Sequence, residues 1–349
     1  MVEERTTPAT LNYYMPAEFQ EHECSWMSWP CEDDGIPDSL EAQHRIYADV
    51  ANAIVNYEPV NMLVDPGTIE IARAHCDPRI DLIPCPLDDA WLRDNGPIFV
   101  VSEEGRLGGV AWQFTGWGGK AKFEKDAKVA PFVLKHAGAR LFRSSLVLEG
   151  GSITVDGEGT LIATEQCLLN PNRSGCQKEE IEMILADYLG IKKIIWLKKG
   201  LVGDEYTDGH VDLLVSFARP GCVMASITHN SDDPDYDILQ DNLANLKNST
   251  DAAGRKLDVI EVELAPGAIW RQPRNDVYTT NRLCGSYINF YFANGAVIIP
   301  GLDDDKFDKN ARAVFERTFP DRDVVQVPTL FLYVRGGNIH CITQQQPKV

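Results

Sequence analysis

The sequence predicts an α/β protein made by radial or stacked repetition of one small unit. Three observations predict it: a strand-strand-helix-strand order that recurs at intervals of roughly 50 to 70 residues, a glycine-marked turn inside most of the strand pairs, and a glycine-marked polar turn just ahead of them. An ordinary α/β domain with hairpins is the competing reading of the same pattern. Under the repeat reading residues 1–349 form one domain, because each unit can bury its apolar face only against its neighbours.

Taken along the chain, helix and strand material from 40 to 85, closed by the C-terminal strand, makes one unit. A second runs through a strand at 97–101, a turn at Glu104-Gly105, a strand at 109–114, a helix near 124–137 and a strand at about 139–143. The third is the clearest. Residues 151–164 alternate, turn at glycine and alternate again, as a hairpin does. Residues 177–189 then place Ile181, Ile184, Leu185 and Leu189 on one helical face, with acidic residues in the first turn where the helix dipole favours them, and 193–197 is an apolar strand. The fourth unit reads as strands at 210–217 and 222–227 about Pro220-Gly221, a helix near 235–247 and a strand at 257–264. The fifth reads as strands at 286–292 and 296–299 about Asn294-Gly295, a helix from 308 to 319 and a strand at 323–327.

Composition narrows the function. A net charge of -19 disfavours nucleic acid or an anionic membrane as partner and would attract a cationic ligand. Nine cysteines, an odd number without Cys-x-x-Cys spacing, in a chain with no secretory apolar region and no long apolar run, imply free thiols and a reducing, cytoplasmic setting. The seven histidines are dispersed, with no His-Glu-x-x-His, so no metal site is expected.

Chemistry-bearing residues concentrate in the polar turns ahead of the strand pairs: residues 91–97 with Trp91 and Asp94, residues 149–151 with Glu149, residues 208–212 with Asp208, His210 and Asp212, and residues 336–341 with Asn338 and Cys341. In a pseudo-symmetric ring equivalent turns face a common axis, so carboxylates, a histidine and a cysteine would converge. Each has a structural alternative. Asp94 before Asn95-Gly96-Pro97 suits a turn-forming carboxylate. Glu149, between Leu146-Val147-Leu148 and two glycines, either caps a turn or is buried with a cationic partner. His210 and Asp212, two apart in an apparent strand, share a face on which a carboxylate can orient an imidazole. Cys341 lies in a glycine-rich polar turn in which a thiol can be held as a nucleophilic thiolate.

A guanidinium is the substrate such a group would suit. Its paired N–H donors are accepted bidentately by carboxylates, and its electrophilic carbon lies between them. A cysteine can attack that carbon, a histidine can protonate the departing ammonia, and the same histidine can activate water against the resulting thioester. An acyl-transferring cysteine hydrolase would gain little from several anions around its substrate carbonyl.

These residues also carry a resemblance. The segments MPAEF at 15–19, DDAWLRDNGP at 88–97, LEGGSITVDGEGTLIATEQCLLNPNR at 148–173, TDGHVD at 207–212 and GGNIHCITQQQP at 336–347 resemble the agmatine deiminases, members of the guanidine-modifying superfamily related to the bacterial peptidylarginine deiminases. The resemblance implies the five-bladed α/β propeller known as the pentein fold, and hydrolysis of agmatine to N-carbamoylputrescine and ammonia, a step towards putrescine, without a cofactor. It implies Cys341 as nucleophile, His210 as general acid and base, Asp94 and Asp212 as the carboxylates that grip the guanidinium, Glu149 as a further carboxylate beside the histidine, and Trp91 as an aromatic wall. Asp208, Trp117, Arg335 and Asn338 are the remaining candidates for substrate contact. A small guanidine is the expected partner, with a homodimer as the assembly to test and no role for nucleic acid or membrane.

The departures from the family pattern concern substrate. An additional residue stands in the stretch from Gly203 to Asp208, Leu213 takes an asparagine position, Lys120 and Lys122 follow Trp117-Gly118-Gly119, and Arg335 replaces the first of three glycines. A cation facing the pocket would repel the distal ammonium of agmatine and favour an anionic tail, so a deiminase of another guanidine is a second reading. An amidinotransferase or a non-catalytic binding protein is a third. Segments 112–122 and 269–282 are the expected rims.

Overall fold

The structure is a computed structural model and describes residues 6–31, 39–266, 269–270 and 281–349. Five sheets of three or four strands repeat one plan: two antiparallel strands, a helix, and a third strand parallel to the second.

One sheet pairs Ile98–Ser102 with Leu107–Gln113 and then Arg140–Val147, after the helix Val129–His136. The next pairs Ile153–Val155, Thr160–Thr164 and Lys193–Leu197, after the helix Lys178–Leu189. The third holds Val215–Arg219, Cys222–Ile227 and Asp258–Glu263, with the helix Tyr236–Asn248. The fourth holds Tyr291–Ala293, Ala296–Gly301 and Asp323–Pro328, with the helix Asp305–Thr318. The fifth joins the chain ends, pairing the C-terminal strand Thr343–Pro347 antiparallel with His22–Ser28, which runs parallel to Val60–Val64 across the helix Ser39–Ile54. A fourth strand, Asp81–Pro84, extends that sheet.

Local chemistry explains the elements. Lys178–Leu189 buries Ile181, Leu185 and Leu189, four residues apart, carries Glu179 and Glu180 in its first turn, and stops at Gly190, whose φ of 71° lies in the left-handed region. Asp304 caps Asp305–Thr318 by accepting from the Lys306 and Phe307 backbone N–H groups. The central strands are buried along their length, with Cys222–Ile227 and Ala296–Gly301 having no exposed residue, as expected of strands covered on both faces.

Two strands expected from the sequence are shorter than their patterns. His210 caps a single 3-10 turn, Val211–Leu213, and the strand begins only at Val215. Likewise residues 286–290 are turn and the strand is Tyr291–Ala293. Tyr287, Ile288 and Phe290 are buried from that turn, so their apolar character mimics a strand. Of the expected rims, residues 112–122 are described and 271–280 lie outside the described residues.

Candidate active site

The turn ahead of each antiparallel pair sends a side chain to one place, and all five units contribute. Gly151 is the meeting point: a Cβ built there would fall 2.7 Å from His210 Nδ1, 2.8 Å from Asp212 Oδ2 and 3.0 Å from Asp94 Oδ1. Cys341 Sγ lies 3.4 Å from Asp212 Oδ2 and accepts from Asn289 Nδ2 at 3.2 Å. His210 Nε2 is 3.5 Å from Glu149 Oε2, and its Nδ1 is 3.9 Å from Asp94 Oδ1. The five residues expected to be catalytic, Cys341, His210, Asp94, Glu149 and Asp212, are therefore together and buried.

The carboxylates are pinned. Asp94 Oδ1 accepts the Gly151 N–H at 3.0 Å and its Oδ2 accepts Trp117 Nε1–H at 2.8 Å. Trp117 makes that bond from a backbone φ of 54°, an uncommon conformation for a non-glycine residue that is held here by its hydrogen bond and packing. Asp212 Oδ2 lies 2.9 Å from His340 Nδ1, and His340 Nε2 lies 2.9 Å from Glu18 Oε2. Glu18 in turn pairs with Arg93 Nη1 at 3.1 Å, while Arg93 Nε donates to the His340 carbonyl and its backbone N–H to the Cys341 carbonyl. Glu149 has the cationic partner its setting required, Arg173 Nε at 2.8 Å.

These neighbours set the charges. Burial pushes the Cys341 thiol well above the usual range, and Asp212 and Asp94 push it further, against the hydrogen bonds of Asn289 and the Asn338 backbone. The turn therefore does not by itself favour a thiolate: burial and the two carboxylates work against charge on Cys341, and the Asn289 and Asn338 hydrogen bonds work for it. Burial works against charge on His210, yet Asp94, Cys167 and Glu149 outweigh it and hold its proton well above the ordinary histidine range. Burial likewise opposes ionisation of Asp212 and Glu149, but His340 brings the first below its usual range, and His210 with Arg173 brings down the second. Asp94 is raised by burial, with His210 acting against the rise.

Glu18 gives a measurable consequence. Arg93 and His340 overcome its burial and hold it at about 2, down from 4.5. A folded value below the unfolded one stabilises above about 4.5, and that contribution fades as pH falls towards about 2. Glu18→Gln is expected to cost about 3 kcal/mol at pH 7 and to flatten the loss of stability between pH 5 and pH 3. Urea unfolding at several pH values checks this, and an unchanged acid dependence would count against it.

The other expected contacts are distributed differently. Trp91 reaches Cys341, because a Cβ at Gly337 would lie 2.6 Å from Trp91 Cζ3 and 3.0 Å from Cys341 Sγ. Asp208, with a φ of 62°, is engaged by Arg173 Nη1 at 2.9 Å, Asn172 Nδ2 at 2.9 Å and Lys120 Nζ at 2.8 Å. The Asn338 side chain turns to the backbone, donating to the Thr329 carbonyl at 3.4 Å and accepting the Ile339 N–H, so its contribution to the thiol is its own backbone N–H. Lys120 and Lys122 are taken by carboxylates, Asp208 and Asp88. Arg335 lines the mouth beside Asp89, at 3.9 Å.

Sequence reasoning missed Asn289, His340, Glu18, Arg93, Arg173 and Cys167. A partial signal existed for the first: the fifth unit also needs a polar turn ahead of its strand pair, but Asn289 lay within the stretch read as its first strand. Among the described residues, Glu149, Cys167 and His210 place possible ligand atoms within 4.8 Å of one another. Arg173 already neutralises Glu149, and burial raises the Cys167 thiol, so the trio suits a protonated imidazole between partners better than a metal ion.

The profile of the Porphyromonas-type peptidyl-arginine deiminase family matches residues 14–347. The agmatine deiminase of Pseudomonas aeruginosa is 43% identical over 364 aligned positions, covering 98% of this chain and 97% of its own. Among solved structures, the agmatine deiminase of Enterococcus faecalis superposes with a TM-score of 0.93 at 35% identity, covering 100% of this chain and 99% of that one. The agmatine deiminase of C. jejuni superposes with a TM-score of 0.83 at 27% identity, covering 96% of each.

Proposed function

Because the chain belongs to the Porphyromonas-type peptidyl-arginine deiminase family, we propose that it hydrolyses agmatine to N-carbamoylputrescine and ammonia through a covalent intermediate on Cys341. The observation that carries the reading is the cup over Gly151. Two carboxylates, Asp94 and Asp212, converge with His210 on Gly151, and Cys341 Sγ is 3.4 Å from Asp212 Oδ2, which sets side by side the acceptors and the thiol that a planar guanidinium would need. The similarity of the agmatine deiminases along the whole chain supports the choice of agmatine.

The geometry supports a sequence of steps. The guanidinium donates its N–H groups to Asp94 and Asp212, and its positive charge offsets the two anions that hold Cys341 protonated. The thiol yields its proton to water, which carries it away to the ammonia released later, and Sγ bonds to the guanidine carbon to give a neutral tetrahedral adduct. The His210 imidazolium gives a proton to one terminal nitrogen, that C–N bond breaks, and ammonia leaves an amidino-thioester. His210, now neutral, takes a proton from water, whose oxygen bonds to the same carbon. The C–S bond then breaks to release the carbamoyl product and restore the thiol. Glu149, made anionic by Arg173 and 3.5 Å from His210 Nε2, favours the protonated histidine through the first half of the cycle. Substrate binding thus creates its own nucleophile, and no thiolate is needed beforehand.

The cysteines, all free in the structure, accord with a cytoplasmic enzyme. Incubation of the purified protein with agmatine should release ammonia and N-carbamoylputrescine in equal amounts, identified by mass spectrometry. No turnover by folded enzyme would refute the reading.

A further inference from the structure

We propose that Asp89 reads the far end of the substrate, its carboxylate receiving the distal ammonium of agmatine at the end of a path laid along the Trp91 indole. The inference rests on the agmatine reading above and names the residue that sets tail preference.

The indole spans the distance between nucleophile and carboxylate. Gly337, bare of a side chain, lets the Cζ3 edge of Trp91 lie next to Cys341, since a Cβ there would meet both within 3.0 Å. The opposite edge carries Nε1–H, which donates to Asp89 Oδ2 at 3.0 Å. A guanidinium gripped beside Cys341 therefore has an apolar surface for its methylenes and a carboxylate beyond it. Asp89, Trp91, Tyr333, Arg335 and Gly336 share the wall of one cavity of about 770 Å³, within the size range of small-ligand sites. Asp89 is itself held: its Oδ1 accepts the Ala90 N–H at 2.8 Å, so the carboxylate is fixed rather than left to swing.

Arg335 qualifies this site without inverting it. Its Nη2 is 3.9 Å from Asp89 Oδ2, with 17% and 14% of the two side chains exposed. At that range the guanidinium steadies the carboxylate, and an arriving ammonium has to share it. Lys120 offers no second obstacle, because its Nζ is bonded to the Glu205 and Tyr206 carbonyls at 2.7 and 2.9 Å as well as to Asp208. Glu205, exposed on the same cavity wall, adds a further negative charge. Among the described residues the mouth therefore offers Asp89 as an anionic receptor for a cationic tail, with Arg335 sharing its charge.

The test compares kcat/KM for agmatine, for butylguanidine, which replaces the ammonium by an uncharged methyl end, and for 4-guanidinobutanoate, which replaces it by an anion. Asp89→Asn removes the charge and keeps one oxygen for the Trp91 N–H, at the expense of the acceptor for the Ala90 N–H, and butylguanidine serves as the control for any resulting shift of the indole. The wild type should prefer agmatine to butylguanidine, and Asp89→Asn should collapse that preference about 10- to 100-fold. Arg335→Gln should raise the preference. An equal fall on agmatine and butylguanidine would overturn the assignment, leaving Asp89 as a residue that only places Trp91. A wild-type preference for 4-guanidinobutanoate would overturn it in favour of Arg335. If the wild type turns over none of the three, the agmatine reading itself fails and takes this inference with it.

Discussion

Cys341→Ala is expected to lower kcat for agmatine on the order of 10⁴-fold or more, because no other thiol in the cup can form the bond to the guanidine carbon. Cys167 is buried beside His210 and Glu149, apart from the Asp212 and Asn289 contacts of Cys341, and is raised by burial, so it offers no substitute. Binding should survive. The guanidinium is gripped by Asp94 and Asp212, which keep their own anchors in Trp117, Gly151 and His340 when the thiol is gone. Calorimetry should therefore find agmatine bound to the variant, while intact-mass measurement of the wild type quenched during turnover should find a Cys341 adduct that the variant lacks. Turnover retained by the alanine variant would sink the covalent route and leave only the binding half of the argument.

Gly151→Ala is expected to be almost as damaging, by a different route. A single methyl would stand within 3.0 Å of His210 Nδ1, Asp212 Oδ2 and Asp94 Oδ1, in the space the guanidinium needs. Those groups cannot swing away cheaply, since Asp94 is tied on both oxygens and Asp212 is tied to His340. Misplacement of this size costs about 10²-fold or more in kcat/KM, with the loss in both binding and turnover. The methyl meets side-chain ends rather than backbone, so the strain falls on the site, and thermal unfolding beside the wild type separates this local effect from loss of the fold. At the neighbouring Gly150 a Cβ would fall 2.2 Å from the Arg93 carbonyl oxygen, backbone that has nowhere to go, and that position reports packing instead. A Gly151→Ala enzyme with near-normal activity would show that the guanidinium does not lie in this cup.

The repeat and the groups that converge at Gly151 were legible for one reason: each unit announces itself locally. Period-two alternation, a glycine turn and a helical face lie within one stretch of chain, and the polar turn ahead of the strand pair stands out against apolar flanks. Residues 151–164 and 177–189 show this most clearly, and the structure follows them closely. The same local logic misled at Tyr287 and Phe290. Their burial comes from neighbouring sheets rather than from a strand of their own, which hid Asn289 inside an apparent strand. It misled again at His210 and Asp212, where a 3-10 turn, not a strand face, presents both side chains.

By itself the sequence determined the unit, its number of copies, and the identities of the cysteine, histidine and carboxylates that the units deliver. Only the tertiary structure decided their charge states and their neighbours. Arg173 answers Glu149 across the unit that holds both, His340 answers Asp212 over 128 positions, and Glu18 answers His340 over 322. No local pattern encodes partners so far apart, and in a buried site the partner, more than the residue type, determines which group holds the proton. A stretch of comparable length separates Arg335 from Asp89. A lone arginine before Gly336-Gly337 reads as a cation opposed to agmatine, and becomes the counter-charge of a carboxylate once the folded chain sets the two 3.9 Å apart.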